Sequence, residues 1–184
     1  MDEETKSIIT PGTSLVYPNY NDEGKLCAVL LKDSDFILVD SSPTAVVDLS
    51  MQYFGTSLRG GIEGGKALMG RIHMTPVMVS ESLDMYWFPS HSPSSNDCVW
   101  FALAHVLTFL PIDKNHTKVI FRDGNVFTVN CSYSSFQSRY QRTCMLKNGL
   151  VARFTQMALG VKKGHKTFLI RKKHQHGNYE ITDE

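Results

Sequence analysis

The segment KLCAVLLKDSDFILVD, residues 25–40, decides the kind of fold that this chain adopts. Lys25–Leu31 and Asp35–Asp40 are rich in β-branched and apolar residues and are bounded by polar ones, a pattern typical of β-strands. Only Lys32, Asp33 and Ser34 separate the two runs. A β-hairpin is the simplest interpretation, so the sequence predicts an antiparallel sheet.

Helical patterns follow this hairpin and recur near the end of the chain. Ser42 followed by Pro43 is typical of an N-cap and the first helical position, and Gly55 is a stop signal. Thr56 and Ser57 are the two candidate caps of the helix that follows. This helix contains several glycines, each costing about 1 kcal/mol relative to alanine, so it is weak alone or packs closely against something. Three helices are predicted, with a break near Asn148-Gly149 in the last: residues 43–54, 57–69 and 132–158.

Beyond Pro76 the pattern changes to strands, with an Asp123-Gly124 hairpin turn between the last two strands before the final helix. The apolar run Val99–Phe109 favours a strand, although a helix fits a continuous apolar run as well. The predicted strands are residues 77–79, 85–88, 99–109, 118–121, 125–129 and 167–171. We therefore predict an α+β fold with an antiparallel β-sheet in a single domain, residues 1–160. Residues 161–184 then form a basic segment and a short acidic tail.

Length and composition exclude several classes of protein. The chain has 184 residues, of which 42% are hydrophobic, as expected for one globular domain. Its acidic start, Met1–Glu4, is unlike a secretory signal, and its longest apolar run, Val99–Leu110, is shorter than the roughly 20 residues of a membrane span. The four cysteines form no C-x-x-C pair, which favours free thiols in a reducing compartment. We expect a cytoplasmic protein that is not in a membrane.

The charges are distributed unevenly along the chain. The formal net charge is only +1, which by itself argues against a polyanionic partner. Residues 1–123, however, contain 9 basic and 15 acidic residues, whereas residues 124–179 contain 10 basic residues and no carboxylate. These cations either pair with the acidic part of the fold, remain solvated, or face a polyanion.

Sequence patterns that would indicate an enzyme are incomplete. Gly60–Ala67 resembles a phosphate-binding P-loop, but Ala67 lacks the hydroxyl that holds magnesium. Cys98 beside Asp97 suggests a thiol nucleophile, yet no oxyanion-hole element accompanies it, and a buried cysteine is commoner. Four residues are of types that bind zinc, but their spacing matches no compact ligand pair: His73, His91, Cys98 and His105. We expect no enzyme, no metal and no cofactor.

The carboxylate-free segment contains the strongest functional pattern. In residues 132–147, helical spacing places Arg139 and Arg142 on one face and Phe136 and Tyr140 on a neighbouring stripe. The aromatic stripe is more often core than a base-stacking platform. A helix with an apolar side toward a sheet and a basic side outward is suited to phosphate or minor-groove contact. The candidate DNA-binding face consists of Arg139, Arg142, Lys147 and Arg153. Three cations from outside this segment are expected to assist it: Arg59, Lys66 and Arg71.

Short motifs spread over most of the chain point in the same direction. In order they are Asp48-x-Ser50, Tyr53-Phe54-Gly55-Thr56-Ser57, Gly60 with Gly64, Pro76 with Met78-Val79, Phe88-Pro89-Ser90, Cys98-x-Trp100, His105-Val106, Ser132-Tyr133-x-Ser135-Phe136, Arg142-Thr143 and Leu146. No single motif is specific. Their order and spacing together resemble the ComK family of competence transcription factors, bacterial activators of genes for DNA uptake.

This resemblance implies a DNA-binding activator that recognises paired A/T-rich boxes largely through the minor groove, as an oligomer built from dimers and without a cofactor. It also implies an adaptor that delivers the protein to a protease through Phe168, Leu169, Ile170 and Lys173. This chain has Gly61 where the family tends to have Arg, which removes a candidate phosphate contact. The alternative is therefore an interaction protein that has lost DNA binding and still engages the adaptor.

Overall fold

The computed structural model describes residues 6–160, 168–172 and 179–183. Its contacts divide the chain into two compact units, Met1–Leu150 and Val151–Glu184. The boundary between the units falls inside the last helix, after Leu150. The sequence-based boundary at residues 160/161 remains a prediction, whereas the α+β class with antiparallel sheets and three helices is confirmed.

The regular elements of the described residues are eleven strands, three α-helices and a short 3₁₀ turn, Leu103–His105. The strands are β1 Thr13–Tyr20, β2 Leu26–Lys32, β3 Asp35–Val39, β4 Val77–Ser80, β5 Met85–Pro89, β6 Trp100–Ala102, β7 Val106–Pro111, β8 Thr117–Phe121, β9 Val126–Val129, β10 Phe168–Lys172 and β11 Tyr179–Asp183. The helices are α1 Pro43–Tyr53, α2 Leu58–Met69 and α3 Tyr133–Gly160.

A six-stranded antiparallel sheet in the order β3-β2-β1-β6-β5-β4 forms the centre of the first unit. The predicted β2–β3 hairpin is confirmed, and its turn places Asp33 and Ser34 at positive φ values of 49° and 71°. Strand β1 was not predicted from the sequence, although it pairs with both β2 and β6. Pro18 within β1 weakens the strand pattern, because proline cannot donate to a ladder.

The two faces of this sheet bury different cores. Side chains alternate along each strand, so Trp100 lies in one core and the adjacent Phe101 in the other. On the first face the sheet packs against Val46, Val47 and Met51 of α1. The second face packs against β7–β9 and the start of α3, through a cluster of aromatic rings. The central sheet is therefore buried on both sides.

Helix α1 begins at the predicted cap Ser42, and α2 begins at Ser57, one of its two candidate caps. Ser42 Oγ accepts a hydrogen bond from the Ala45 N–H at 3.3 Å, and Ser57 Oγ accepts one from the Gly60 N–H at 3.1 Å. The close packing predicted for the glycine-rich helix α2 is found at Gly61 and Gly65. A Cβ atom at Gly61 would lie 2.6 Å from Met51 Cε, and one at Gly65 would lie 2.6 Å from Thr75 Cγ2.

Two predictions about continuity were wrong. Helix α3 has no break at Asn148-Gly149; instead, a Cβ at Gly149 would lie 2.8 Å from Leu68 Cδ2, so the glycine permits close packing. The run Val99–Phe109 is two strands, because β6 pairs in the six-stranded sheet and β7 pairs in the three-stranded sheet β7-β8-β9. The 3₁₀ turn between them is stabilised by Arg122, whose Nε donates to the Ala104 carbonyl at 2.8 Å.

The predicted Asp123-Gly124 turn between β8 and β9 is confirmed, with Gly124 at φ 87°. In the second unit, β10 pairs antiparallel with β11 from Phe168↔Asp183 to Lys172↔Tyr179. The first of these strands was predicted from the sequence and the second was not. Among the described residues, no helix combines the length and apolarity needed to cross a membrane.

Candidate nucleic-acid interface

The start of helix α3 is anchored by its aromatic stripe. The Phe136 side chain is fully buried, and its ring centroid lies 5.1 Å from that of Phe101 and 5.0 Å from that of Phe109. Tyr140, one turn later, lies 5.3 Å from Phe109 and 6.2 Å from Phe88. The aromatic stripe is therefore core, as expected, and its burial fixes which face of the helix points outward.

Arg139 and Arg142 lie together at a depression of about 270 Å³. Arg139 Nη1 donates to Cys131 Sγ at 2.7 Å, and Arg142 Nη1 donates to the carbonyl oxygen of His73 at 3.2 Å. Burial raises the pKa of the Cys131 thiol, with Arg139 acting in the opposite direction, so this acceptor is neutral at neutral pH. Neither of these two acceptors, a thiol and a backbone carbonyl, carries a negative charge.

We call this depression the Arg139 surface; it is lined by His73, Met74, Ser134, Ser135, Ser138, Arg139 and Arg142. Its two sides come from distant parts of the chain, the start of α3 and the connection between α2 and β4. The end of α2 contacts α3 through Leu68 and Gly149, and the connection contacts it through the His73 carbonyl and Arg142. Arg71, which is exposed, lies between these contacts in the sequence.

The start of α3 adds to the positive potential of this surface. The Ser132 hydroxyl accepts from the Ser135 N–H at 3.4 Å, as an N-cap does, and the first turn contains no acidic residue. The N-terminal end of a helix dipole is positive. Serine hydroxyls beside arginines at such a helix end are the groups that hold phosphate oxygens in protein–DNA complexes.

The other predicted cations have different surroundings. Arg59 Nε forms an ion pair with Glu63 Oε1 at 3.0 Å within α2. Lys147 Nζ pairs with Asp84 Oδ2 at 2.6 Å and lies 5.7 Å from the centroid of the Tyr86 ring. Lys66 is exposed on α2, and Arg153 is exposed on the part of α3 that belongs to the second unit. Among the described residues, the structure therefore brings together Arg139 and Arg142 and gives two other candidates a carboxylate partner.

Sequence reasoning missed the residues that complete this surface. His73 and Met74 are 69 and 68 residues before Arg142, so only the folded chain brings them there. Met74 has a φ of 54°, a left-handed conformation that turns the chain just before Thr75 and Pro76 are buried. The serines, in contrast, lie within residues 132–138, where their spacing around Arg139 is visible in the sequence.

The patterns that suggested enzymes have structural explanations. Gly60–Ala67 lies inside helix α2, so it forms no phosphate-binding loop. Burial raises the pKa of the Cys98 thiol to about 11, so it is protonated at neutral pH and a poor nucleophile. His105 Nε2 is 2.7 Å from the carbonyl oxygen of Pro11, to which it donates. The residues described contain no group of three or more metal-binding side chains.

The candidate adaptor segment lies in the second unit. Phe168, Leu169 and Ile170 form the first part of strand β10, whose partner is β11. Lys173, the last residue of the proposed segment, lies outside the described residues. The segment is therefore extended in the described part.

The comparisons with known proteins place the chain in a family. It belongs to the ComK protein family, whose sequence model matches residues 4–155. Over 125 residues the chain is 30% identical to the competence transcription factor of Bacillus subtilis (strain 168). The alignment covers 68% of this chain and 65% of the length of that relative. No solved structure matches the chain. The resemblance inferred from the motifs is confirmed.

Proposed function

We propose that this chain is a competence transcription factor, a non-enzymatic activator that binds A/T-rich promoter DNA through the Arg139 surface. The observation that carries the proposal is that Arg139 and Arg142 lie side by side and bond to neutral groups, a thiol and a backbone carbonyl. Family membership and the name of the relative support the same function. Such a protein works in the cytoplasm, on the nucleoid.

The chemistry of the Arg139 surface is suited to the minor groove of A/T-rich DNA. A/T tracts have a narrow minor groove with an enhanced negative potential, which attracts inserted arginine side chains. Reading of that groove needs little base-edge code, because it distinguishes mainly A·T from G·C pairs. Ser134, Ser135 and Ser138 supply hydroxyls for the flanking phosphates.

The remaining candidate cations extend the interface in this proposal. Arg59, Lys66, Arg71, Lys147 and Arg153 contact phosphates and contribute affinity rather than base preference. When Lys147 and Arg59 contact a phosphate, each exchanges its present carboxylate partner for that phosphate. Paired boxes are bound by an oligomer built from dimers, and an adaptor for proteolysis binds at Phe168–Lys173. Neither oligomer formation nor adaptor binding requires a cofactor.

The decisive experiment compares duplexes with and without A/T boxes. In gel-shift titrations at two salt concentrations, the protein binds an A/T-rich duplex more tightly than a G/C-rich duplex of equal length, and high salt weakens both. Arg142→Ala lowers affinity for the A/T-rich duplex about tenfold, an ordinary loss for one arginine contact.

The matched control is Lys118→Ala, which removes one exposed cation from β8 that does not line the Arg139 surface. It changes affinity by less than about twofold. Equal affinity for the two duplexes would contradict A/T recognition. Unchanged binding by Arg142→Ala would remove the start of α3 from the interface and favour a chain that serves as an interaction protein only.

A further inference from the structure

Strand β3 is an open edge of the six-stranded sheet. It occupies the end of the order β3-β2-β1-β6-β5-β4, and no strand among the described residues pairs with its outer side. Alternate backbone N–H and C=O groups of an edge strand point away from the sheet, so they are available to another strand. Two large apolar side chains of β3 are also uncovered, since Phe36 is 62% exposed and Leu38 is 60% exposed.

Within the part of the chain that the structure describes, this edge lacks the features that usually protect a strand from pairing with another chain. Such features are proline, lysine, a β-bulge or a covering element. Strand β4, at the other end of the sheet, has a register shift and buried residues, and Val77 packs near Gly61 of α2. Strand β7 has a register shift and ends in Pro111. In contrast, β3 pairs with β2 without a register shift, and its single charged residue, Asp35, is its first.

The side chains of β3 are complementary to those of a second copy of the same strand. If two copies run antiparallel around Ile37, Phe36 of each lies directly opposite Leu38 of the other. Aromatic and aliphatic side chains directly opposite each other stabilise a strand pair. Ile37 and Val39 point to the other face, where they already pack against the first core. We infer that β3 is a self-association edge, where two copies of this chain join their six-stranded sheets into one continuous sheet.

The biological role of the β3 edge rests on the proposed function, in which the two edges of the sheet have separate roles. His73 and Met74 of the Arg139 surface directly precede β4, at the edge opposite β3. Pairing through β3 therefore leaves both Arg139 surfaces free to bind DNA. One pair of strands buries five residues on each copy, whereas a stable interface contains about 20 to 30 per side. The contact is weak in solution and forms mainly when neighbouring DNA sites hold two copies at about millimolar effective concentration.

Disulfide trapping without DNA, at about millimolar protein to match the effective concentration on neighbouring sites, tests the strand register directly. Phe36→Cys and Leu38→Cys chains, mixed under mild oxidation, form a mixed disulfide because paired residues place their Cα atoms within bridging distance. Each variant alone forms less dimer, since residue 36 does not lie opposite residue 36. The unaltered chain measures the background from Cys144, because the other three native cysteines are buried. A mixture that cross-links no more than the unaltered chain would overturn the inference.

Binding to duplexes with one or two A/T boxes tests the consequence. The double variant Phe36→Lys with Leu38→Lys keeps one-box affinity and loses the cooperative gain on two boxes, which we expect to be about tenfold. Its control, Leu107→Lys with Leu110→Lys, changes two apolar residues of β7 that are 54% and 49% exposed, and it keeps that gain. Thermal unfolding of both variants checks that they are folded.

The two proposals fail in different ways. If the unaltered chain binds no duplex, the DNA-binding function is wrong, and the disulfide result still decides the strand pairing. If the chain binds duplexes but the cysteine mixture does not cross-link and the lysine variant retains cooperative binding, only the β3 inference is wrong. A chain that pairs through β7 instead is detected by loss of cooperativity in the control variant.

Discussion

Helix α2 and the start of helix α3 pack on opposite faces of the same sheet, and both carry arginines. Arg59 on α2 is exposed, whereas Arg139 and Arg142 on α3 are half-buried. Helix α2 approaches its neighbours through Gly61 and Gly65, whereas α3 is anchored by the fully buried Phe136. The Arg59 charge on α2 has a carboxylate partner one turn away, Glu63. On α3, Arg139 and Arg142 bond to a thiol and a carbonyl.

The difference shows why a count of cations does not identify a binding surface. A guanidinium that already faces a carboxylate must give up that partner before it contacts a phosphate. A guanidinium held by neutral acceptors is oriented without being neutralised, so its field remains available to a polyanion. The start of α3 is therefore the better candidate, although α2 carries exposed cations as well.

Among the changes that test this comparison, loss of the Phe136 side chain has the largest effect on stability. Phe136→Ala removes a ring that touches Phe88, Phe101 and Phe109, and large-to-small core changes of this kind cost about 3 to 5 kcal/mol. Urea denaturation measures the loss, and duplex binding falls with it. Met145→Ala, an exposed position on the same helix, changes stability by less than about 0.5 kcal/mol. Equal stability of the two variants would contradict the proposed anchoring.

Gly64 and Gly65, which are adjacent in α2, provide a matched pair of variants that tests how this helix packs. Gly65→Ala places a methyl group 2.6 Å from Thr75 Cγ2 and 3.2 Å from the Pro76 carbonyl oxygen, so overpacking destabilises the protein by about 1 to 3 kcal/mol. A Cβ at Gly64 meets nothing within 4 Å, so Gly64→Ala stabilises the helix by up to about 1 kcal/mol. Thermal unfolding distinguishes the variants. Shifts of the same sign in both would mean that α2 does not pack through Gly65.

Release of a paired cation produces the smallest effect. Asp84→Asn removes the carboxylate that holds Lys147, so this lysine becomes available and DNA affinity rises about two- to fivefold. Asp113→Asn makes the same change in net charge in the loop between β7 and β8, where the carboxylate pairs with His116. Fluorescence anisotropy on one duplex compares them. An equal rise in both would indicate a general charge effect rather than release of Lys147.

Much of the fold was predictable because its signals are local. The hairpin at residues 25–40, the cap Ser42 and the Asp123-Gly124 turn each depend on adjacent residues, and each is confirmed. The cap of α2 is Ser57, one of the two adjacent candidates. Strand β1 and the division of residues 99–109 were missed, because both depend on which distant strands they pair with. The helical spacing of Arg139 and Arg142 was visible in the sequence. Their acceptors, Cys131 and His73, required the folded chain.

The dependence of DNA affinity on salt tests the central claim most directly. The slope of log affinity against log salt changes by about 0.9 for each phosphate charge that a cation neutralises. The double variant Arg139→Ala with Arg142→Ala, titrated on one A/T-rich duplex, should have a slope smaller in magnitude by about 1.8 than the unaltered chain. Lys118→Ala should keep the original slope. An unchanged slope in the double variant, or an equal loss in the Lys118 control, would contradict the assignment of DNA binding to the Arg139 surface.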